Sequence, residues 1–279
     1  MSRERGRGVG VRRAIKAPFS ALFQLVFGSG CLLCGQTRPD SALCQGCAAA
    51  FQRLGQACCA KCGKPRFEPS AVASVGPFVC GECLTEKRHF DHAVSTFLYE
   101  GRMRDAILTF KYRKRFRIGG ILGTLLAHSL PPRLKSHPAT DETVKPDVVI
   151  PVPLHISRLR EREFNQSAIL AKHLSEALDL PTHYSALERI RATEFQSMLS
   201  PSRRVENVRN AFKVTSPKAV SGAHVLLVDD IFTHGATANE CAKALKKAGA
   251  ESVVVATLAT PPLGHSVDGP DDEDGDPAS

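Results

Sequence analysis

The 279-residue sequence contains no tryptophan and only three tyrosines, and it has no apolar run long enough to cross a bilayer. A membrane-spanning helix needs about 20 consecutive apolar residues, so no transmembrane helix is predicted. The P-loop pattern is also absent, and Gly6, Gly8 and Gly10 follow no predicted strand, which excludes the common nucleotide-binding motifs. With 43% hydrophobic residues, the chain has enough apolar material for one domain plus a smaller module.

Charge is unevenly distributed along the chain. The formal net charge of +9 and the pI of about 9.2 favour an anionic partner: a nucleic acid, a phosphorylated metabolite or an acidic protein. Residues 1–17 are rich in arginine, and residues 268–279 carry six acids and no base, so both ends are predicted to be disordered. Residues 17–27 are predicted to form a short amphipathic helix, with a secretion signal as the alternative.

Eight of the ten cysteines form four Cys-x-x-Cys pairs, which favours metal binding over disulfides in a chain without a convincing export signal. Two pairs can supply four thiolates to one tetrahedral zinc ion, and a glycine after the second cysteine lets amides turn toward sulfur. Sequential pairing is the simplest scheme, and crossed pairing stays open. Sequential pairing gives a first set of Cys31, Cys34, Cys44 and Cys47, and a second set of Cys59, Cys62, Cys80 and Cys83.

Both predicted zinc sites are structural. Four thiolates close a zinc site, leaving no open position for catalysis, and the metal then supplies folding energy to a module too small for its own core. A DNA-binding role for this module is the weaker alternative. Cys58 and Cys241 fall outside the two sets and are predicted to be buried thiols.

From residue 91 onward the pattern predicts an α/β domain. Helical periods separate the predicted strands, which implies crossover connections and a parallel sheet. The predicted helices cover residues 165–178 and 238–248, and residues 131–146, with four prolines, are predicted to form a loop or an insertion. The predicted strands are "HAVSTFLYE" (92–100), "DVVIPVP" (147–153), "HVLLVDD" (224–230) and "ESVVVATLA" (251–259).

Two adjacent acids, Asp229 and Asp230, end the third of these strands and precede a loop, residues 231–237, that we call the anion loop. Ligands of an open parallel sheet bind beyond the carboxyl ends of its strands. The anion loop leads into a helix, whose first amides and positive dipole end attract anions. Gly235 permits close approach of a phosphate, and Thr233 and Thr237 add hydroxyl donors.

The two carboxylates would repel a phosphate unless the ligand also carries hydroxyl groups or brings a divalent cation. A ribose 5-phosphate meets both demands. Two alternatives stay open: the acids bind magnesium alone, or they cap the helix.

The stretch "VLLVDDIFTHGAT" resembles the phosphoribosyl pyrophosphate (PRPP) motif of type I phosphoribosyltransferases. Together with "CLLCG", "PVPLHISRLREREFNQS" and "RIRATEFQSMLSPSRRVENVRNAF", in order, it resembles the ComF family of bacterial phosphoribosyltransferase-like proteins, associated with competence and DNA uptake. The resemblance covers residues 22–261. It implies an α/β fold, a type I phosphoribosyltransferase-like parallel sheet flanked by helices, with an N-terminal double zinc ribbon. The implied divisions are 1–28 (basic tail and short helix), 29–90 (double zinc ribbon), 91–263 (phosphoribosyltransferase-like domain) and 264–279 (acidic tail).

The resemblance also implies roles for individual residues. Asp229 and Asp230 would hold the ribose hydroxyls of PRPP. Arg160 and Arg162 would stabilise the departing pyrophosphate together with Mg²⁺, in a transfer of ribose 5-phosphate whose acceptor the sequence does not identify. The 5-phosphate would lie on Thr233, His234, Gly235, Ala236 and Thr237. A polar segment that resembles a lid contains Thr193, Gln196, Arg204 and Asn207.

Two positions depart from the family pattern. His234 stands where a second threonine is usual, and because imidazole can also donate a hydrogen bond, we expect phosphate binding to survive. Glu163 stands where a glycine is common in "R-G-F-N-Q". An acid near the pyrophosphate is expected to weaken binding or to restrict approach to the backbone.

The stretch from Arg102 to Arg117 holds seven Lys or Arg residues, with Phe110, Tyr112 and Phe116 interleaved. Such a run is usually a solvated helix face, and it could also bind single-stranded DNA through backbone charge and base stacking. The alternative function is therefore that of a non-catalytic DNA-binding accessory protein that works with competence-machinery proteins. Either function predicts a cytoplasmic protein with two structural Zn²⁺ ions.

Overall fold

The computed structural model describes residues 30–36, 43–66, 78–112, 116–137, 145–193 and 201–263. The predicted helix at 17–27, both charged tails and Gln196 lie outside the described residues. The helices are α1 (Gln45–Ala49), α2 (Gly81–Thr85), α3 (Gly101–Tyr112), α4 (Phe116–Ser136), α5 (Ile156–Arg162), α6 (Gln166–Leu178), α7 (Pro201–Val208) and α8 (Ala236–Lys247). The strands are β1 (His92–Leu98), β2 (Val148–Pro151), β3 (Leu187–Arg189), β4 (Phe212–Val214), β5 (His224–Ile231) and β6 (Ser252–Thr260).

A four-stranded parallel sheet, in the order β1-β6-β5-β2, forms the centre of the molecule. Its strands are the four predicted from the sequence, each within two residues of the predicted ends. The parallel arrangement is therefore confirmed. The short strands β3 and β4 pair antiparallel in a separate two-stranded sheet. Among the described residues, no helix is both long and apolar enough to span a membrane.

Alternation along β5 assigns its side chains to two different cores. Leu226 and Val228 pack into the core that contains α3, α4 and α6, whereas Val225 and Leu227 pack into the core that contains α8 and the β3-β4 sheet. Successive side chains of a strand point to opposite faces, so this alternation continues into the acids that follow. Each face of the sheet is thereby covered by helices, as the sequence predicts.

The prediction of a loop or insertion at residues 131–146 is partly wrong, because α4 continues through Pro131 and Pro132 to Ser136. The continuation is held by buried contacts: Leu130 is fully buried, and Arg133 in the next turn donates from Nε to the backbone oxygen of Ser95, at 2.8 Å. Tertiary contacts here outweigh the loss of backbone donors that the prolines cause. Residues 138–144 lie outside the described part of the chain.

The cysteine-containing segments pack against the outer edge of β1. The backbone amides of Ala93 and Leu98 donate to the carbonyl oxygens of Lys61 and Gln52, at 2.9 Å each, so the sheet edge is not left unpaired. Three cysteines of the second set share a hydrophobic core with the sheet, whereas the first set forms a small cluster of its own. The two sets are therefore integrated with the sheet to different degrees.

Gly63 tests how closely the second set is fitted to the sheet. It follows Cys62 with a φ of +70°, and a Cβ added there would lie 2.3 Å from the backbone oxygen of Ala93. We expect Gly63→Ala to lower the free energy of unfolding by at least about 2 kcal/mol, because backbone strain and an atomic clash add together. The measurement is urea unfolding followed by circular dichroism.

The matched control is Gly35→Ala. Gly35 follows Cys34 with a φ of +73°, but an added Cβ would meet no atom within 4 Å. In the control, the free energy of unfolding should fall only by the cost of the left-handed backbone conformation, about 1 kcal/mol. Equal losses in the two variants would show that docking at Gly63 is loose.

Candidate functional site

A pocket of about 200 Å³ opens at the carboxyl ends of the parallel strands. Its lining includes residues at or beyond the ends of three strands: Tyr99 after β1, Val152 after β2, and Asp229 and Asp230 at the end of β5. Both acids thus face the site that the sequence predicts for them. The anion loop contributes Thr233, Gly235, Ala236 and Thr237 to the same pocket.

The two acids have different partners, on two helices that belong to the same core of the sheet. Asp229 Oδ1 accepts a hydrogen bond from Ser167 Oγ at the start of α6, at 2.9 Å. Asp230 Oδ2 lies 3.4 Å from Lys111 Nζ near the end of α3, and both of these side chains are more than four-fifths buried. Two helices that border the pocket, α3 and α6, therefore each supply a group that stabilises one carboxylate.

These partners reduce the negative charge in the pocket. Burial and the neighbouring charge of Asp230 raise the pKa of Asp229 to about 7. Burial lowers the pKa of Lys111, but the charges of Asp230 and Tyr99 raise it more, so the net shift is upward and Lys111 stays cationic. At neutral pH, an incoming phosphate therefore meets an acid pair that is partly protonated and paired with an ammonium group.

The anion loop has the geometry that a phosphate requires. Gly235 is the N-cap of α8 with a φ of +73°, and no side chain caps the helix. A Cβ at Gly235 would lie 2.4 Å from the ring of Phe232, so this position requires glycine. No acid lies in the first turn of α8, and its last turn contains Lys246 and Lys247. The positive end of the helix dipole is therefore directed at the pocket.

Three buried N–H groups on the pocket wall have no acceptor among the described residues. They are Nε of Arg162, Nε2 of Gln166 and Nε of Arg189. Buried donors in proteins are usually satisfied, so these groups indicate an oxygen-rich ligand. Tyr112 also orients the guanidinium group of Arg162. This group stacks 4.9 Å from the centroid of the Tyr112 ring and donates a hydrogen bond to Tyr112 Oη at 3.2 Å.

Not every predicted site residue reaches the pocket. Arg162 lines it, but Arg160 is exposed on α5, and neither Arg160 nor the His234 side chain is among the described lining residues. In the predicted lid, Thr193 lines the pocket and bonds to Arg189. The backbone oxygen of Asn207 accepts from Arg191, at 2.9 Å. The side chain of Arg204 lies outside the described residues.

Glu163 has a backbone conformation that suits the glycine expected at this position from the resemblance. It ends α5 with a φ of +67°, in the left-handed region that glycine adopts without strain. Its side chain is exposed and is not among the described residues that line the pocket.

The basic stretch from Arg102 to Arg117 is not a uniform surface in its described part, which leaves out residues 113–115. Phe110 is fully buried and Tyr112 stacks on Arg162, so neither ring is available for base stacking, and Lys111 lies in the pocket. Arg102, Phe116 and Arg117 are exposed. Sequence reasoning missed Lys111 as a pocket residue because its neighbours are basic, and it missed Ser167, Gln166 and Arg189 because no short motif marks them.

The cysteines assemble as sequential pairing predicts. In each set the four Sγ atoms lie within 4.8 Å of one another. The backbone amides of Cys44 and Cys80 point at sulfur, donating to Cys31 Sγ and Cys59 Sγ at 3.3 Å each. Cys58 and Cys241 are buried outside both sets, as predicted.

Both sets fit a zinc ion. Sulfur atoms 2.3 Å from a tetrahedral zinc ion lie about 3.8 Å apart. The observed separations are 3.7 Å between Cys34 and Cys44 and 3.6 Å between Cys62 and Cys80. Burial raises the pKa of Cys47 to about 12, with neighbouring thiols adding to the shift. Four closely packed thiols cannot all ionise unless a cation compensates their charge.

Comparison with known proteins agrees with this geometry. A model of the phosphoribosyl transferase domain matches residues 165–274, and a model of the double zinc ribbon domain matches residues 22–84. Competence protein F from Haemophilus influenzae is 34% identical over 181 residues, covering 64% of this chain and 77% of that protein. DNA utilization protein YhgH from Escherichia coli K12 is 32% identical over 213 residues, covering 76% of this chain and 88% of that protein.

Among solved structures, the glutamine PRPP amidotransferase from B. subtilis is 24% identical, with a TM-score of 0.30. The match covers 50% of this chain and 25% of that chain, so it spans about a quarter of the amidotransferase.

The parallel sheet, the matched domain and the two cysteine sets define a phosphoribosyltransferase-like protein with an N-terminal double zinc ribbon. More specifically, the chain belongs to the ComF family, together with competence protein F and YhgH. The resemblance and the fold class inferred from the sequence are both confirmed.

The raised pKa of Asp229 predicts a pH-dependent stability. An aspartate in the unfolded chain has a pKa of about 3.9, so the folded protein binds an extra proton between that pH and about 7. Stability is therefore lost as the pH rises through this window. Asp229→Asn should remove this loss. At pH 8 its free energy of unfolding, measured by urea unfolding, should exceed that of the wild type by on the order of 4 kcal/mol, at about 1.4 kcal/mol per pKa unit.

At pH 5 the advantage of Asp229→Asn should shrink, because Asp229 is then protonated in the folded wild type. Both proteins carry the same cysteines, so the difference between them isolates this one carboxyl group. An advantage that is independent of pH would contradict the raised pKa.

Elemental analysis should find two zinc ions per chain. Cys34→Ser and Cys83→Ser each alter a half-buried member of one set, and each should reduce the zinc content toward one ion. The melting temperature should fall further in Cys83→Ser, because the second set shares the hydrophobic core of the sheet. One ion or none in the wild type would contradict the two-site interpretation.

Proposed function

We propose that the pocket binds PRPP. The 5-phosphate would lie on the anion loop, with Thr233, His234, Gly235, Ala236 and Thr237 around it, and Asp229 and Asp230 would accept hydrogen bonds from the ribose hydroxyls. The observation that carries the proposal is the uncapped start of α8 beside two acids whose charge is already compensated. Such a site accepts a phosphate and a diol together.

The basic side of the pocket suits the diphosphate. Arg162 is held by Tyr112 and keeps a buried Nε–H without an acceptor among the described residues, and Lys111 adds a second cation. Mg²⁺ bound with PRPP would neutralise part of the diphosphate charge. Arg160, predicted for the same role, would have to reach in from its exposed position on α5.

If transfer occurs, C1 of the ribose loses pyrophosphate through a cation-like state, and the protein contributes by charge stabilisation and positioning. Arg162 and Lys111 would stabilise the departing negative charge, and the two acids would hold the ring. The same proposal includes the eight cysteines as ligands of two structural Zn²⁺ ions. It also includes a cytoplasmic location. Cysteines that hold zinc rather than forming disulfides suit a reducing compartment.

The test uses two ligands that should respond in opposite ways. Replacing both Asp229 and Asp230 by Asn keeps the shape but removes charge-assisted acceptors for ribose hydroxyls. PRPP affinity, measured by calorimetry with Mg²⁺, should fall by about ten- to a hundredfold per lost bond, which corresponds to about 1.5–3 kcal/mol each. Inorganic phosphate has no ribose, so its affinity should hold or improve.

The matched control is Asp105→Asn, which makes the same change at an exposed carboxylate paired with Arg102 on α3. It should leave both affinities unchanged. If the double variant lost both ligands in parallel, or neither, the assignment of the acids to the ribose would be wrong. Helix capping by the acids would give the second of these results, because asparagine also caps well, but no side chain caps α8 in the structure.

A further inference from the structure

The segment that links the second cysteine set to β1 contacts the anion loop directly. Arg88 Nη1 donates a hydrogen bond to the backbone oxygen of His234, at 2.8 Å. The side chain of Arg88 is 3% exposed, so this is a buried contact from a charged donor. Hydrogen bonds from charged groups are the strong ones in proteins.

Two acids fix the Arg88 guanidinium group in place. Its Nη2 lies 2.9 Å from Glu86 Oε2 and 3.8 Å from Glu82 Oε2. Glu82 stands between Cys80 and Cys83. It also forms an ion pair, at 2.9 Å, with Lys64, which is two residues after Cys62. The position of Arg88 therefore depends on side chains that are interleaved with the second cysteine set.

The contact with His234 sets the direction of the next amide. In a planar trans peptide, the carbonyl group of one residue and the N–H of the following residue point in opposite directions. When Arg88 holds the His234 oxygen, the N–H of Gly235 is turned away from Arg88. Gly235 lines the pocket, so this rotation presents its amide to a bound anion.

Neighbouring contacts hold the same part of the loop. The backbone amide of His89 donates to Asn239 Oδ1 at 2.6 Å, and Asn239 Nδ2 donates to the backbone oxygen of Lys87 at 3.2 Å. Phe90 packs edge-to-face on Phe232, with ring centroids 5.8 Å apart, and Phe232 lies directly beneath Gly235. Residues 87–90 thus hold the anion loop and the first turn of α8.

We propose that Arg88 is a positioning residue for anion binding, and that the second cysteine set is a structural part of the ligand site through it. The inference rests on the proposed function, since it takes the anion loop as the phosphate site. It goes further in assigning part of the phosphate affinity to a residue outside the pocket, in the cysteine-containing module.

The experiment measures the affinity for inorganic phosphate and for PRPP with Mg²⁺ in the full chain. Arg88→Met keeps the apolar part of the side chain and removes the donor. Because Arg88 acts on the phosphate loop, both ligands should bind about tenfold more weakly or worse, by the same factor. Arg88→Lys restores the charge and one donor, and should recover part of the affinity for both ligands.

The matched control is Arg133→Met. Arg133 is another arginine that ties a cysteine-containing segment to the sheet, donating to the backbone oxygens of Leu54 at 2.7 Å and Ser95 at 2.8 Å. It does not contact the anion loop. We expect this variant to lower the melting temperature and to leave both affinities within about twofold of wild type.

The outcomes separate this inference from the proposed function. The inference is supported if Arg88→Met binds both ligands more weakly and Arg88→Lys recovers part of the affinity. Arg133→Met should show no such loss of affinity. Wild-type affinity in Arg88→Met, or an equal loss in Arg133→Met, overturns it while the proposed function stands. A wild-type protein that binds neither ligand overturns both. If Arg88→Met does not fold, unchanged phosphate affinity in Arg88→Lys would still reject the inference, because a lysine cannot reproduce the geometry of the guanidinium group.

Discussion

Buried negative charge at the end of β5 is the constraint on which the arrangement of the pocket depends. A carboxylate removed from water is costly unless it is paired or protonated, and this strand ends in two of them. Lys111 approaches Asp230 from α3, and Ser167 approaches Asp229 from α6. Each flanking helix therefore has to end or begin at the pocket, which brings Tyr112 and Gln166 to its wall. The same pairing lowers the repulsion that would otherwise keep a phosphate away from the anion loop.

The two cysteine sets have unequal relations to this site. The first set is surrounded by its own few apolar neighbours, whereas three cysteines of the second set belong to the core of the sheet. Lys64 and Glu82 lie between cysteines of the second set. Their ion pair leads to Arg88, through Glu82, and so to the carbonyl group of His234. A small module that needs a metal to fold can in this way become a fixed support for a loop that it does not itself contain.

Much of the fold could be predicted because it depends on local patterns. The four buried strands, the Cys-x-x-Cys spacing and the glycine at the start of α8 each have a short-range physical reason, and all three agree with the structure. The rest depends on contacts between distant residues. Lys111 could not be told from the other bases of its segment until α3 was placed beside β5. The helix through Pro131 depends in the same way on packing that the local sequence does not reveal.

The two departures from the family pattern show how far the site depends on its backbone. Glu163 adopts the left-handed conformation that a glycine would take without strain. Its side chain is exposed and is not among the described residues that line the pocket. Glutamate in place of glycine therefore costs backbone energy more than it changes the site. At His234 it is the carbonyl oxygen that contacts Arg88, and any residue supplies that atom. A phosphate held by main-chain amides and a helix dipole needs the loop to have the right path, and it tolerates a change of side chain wherever that path is kept.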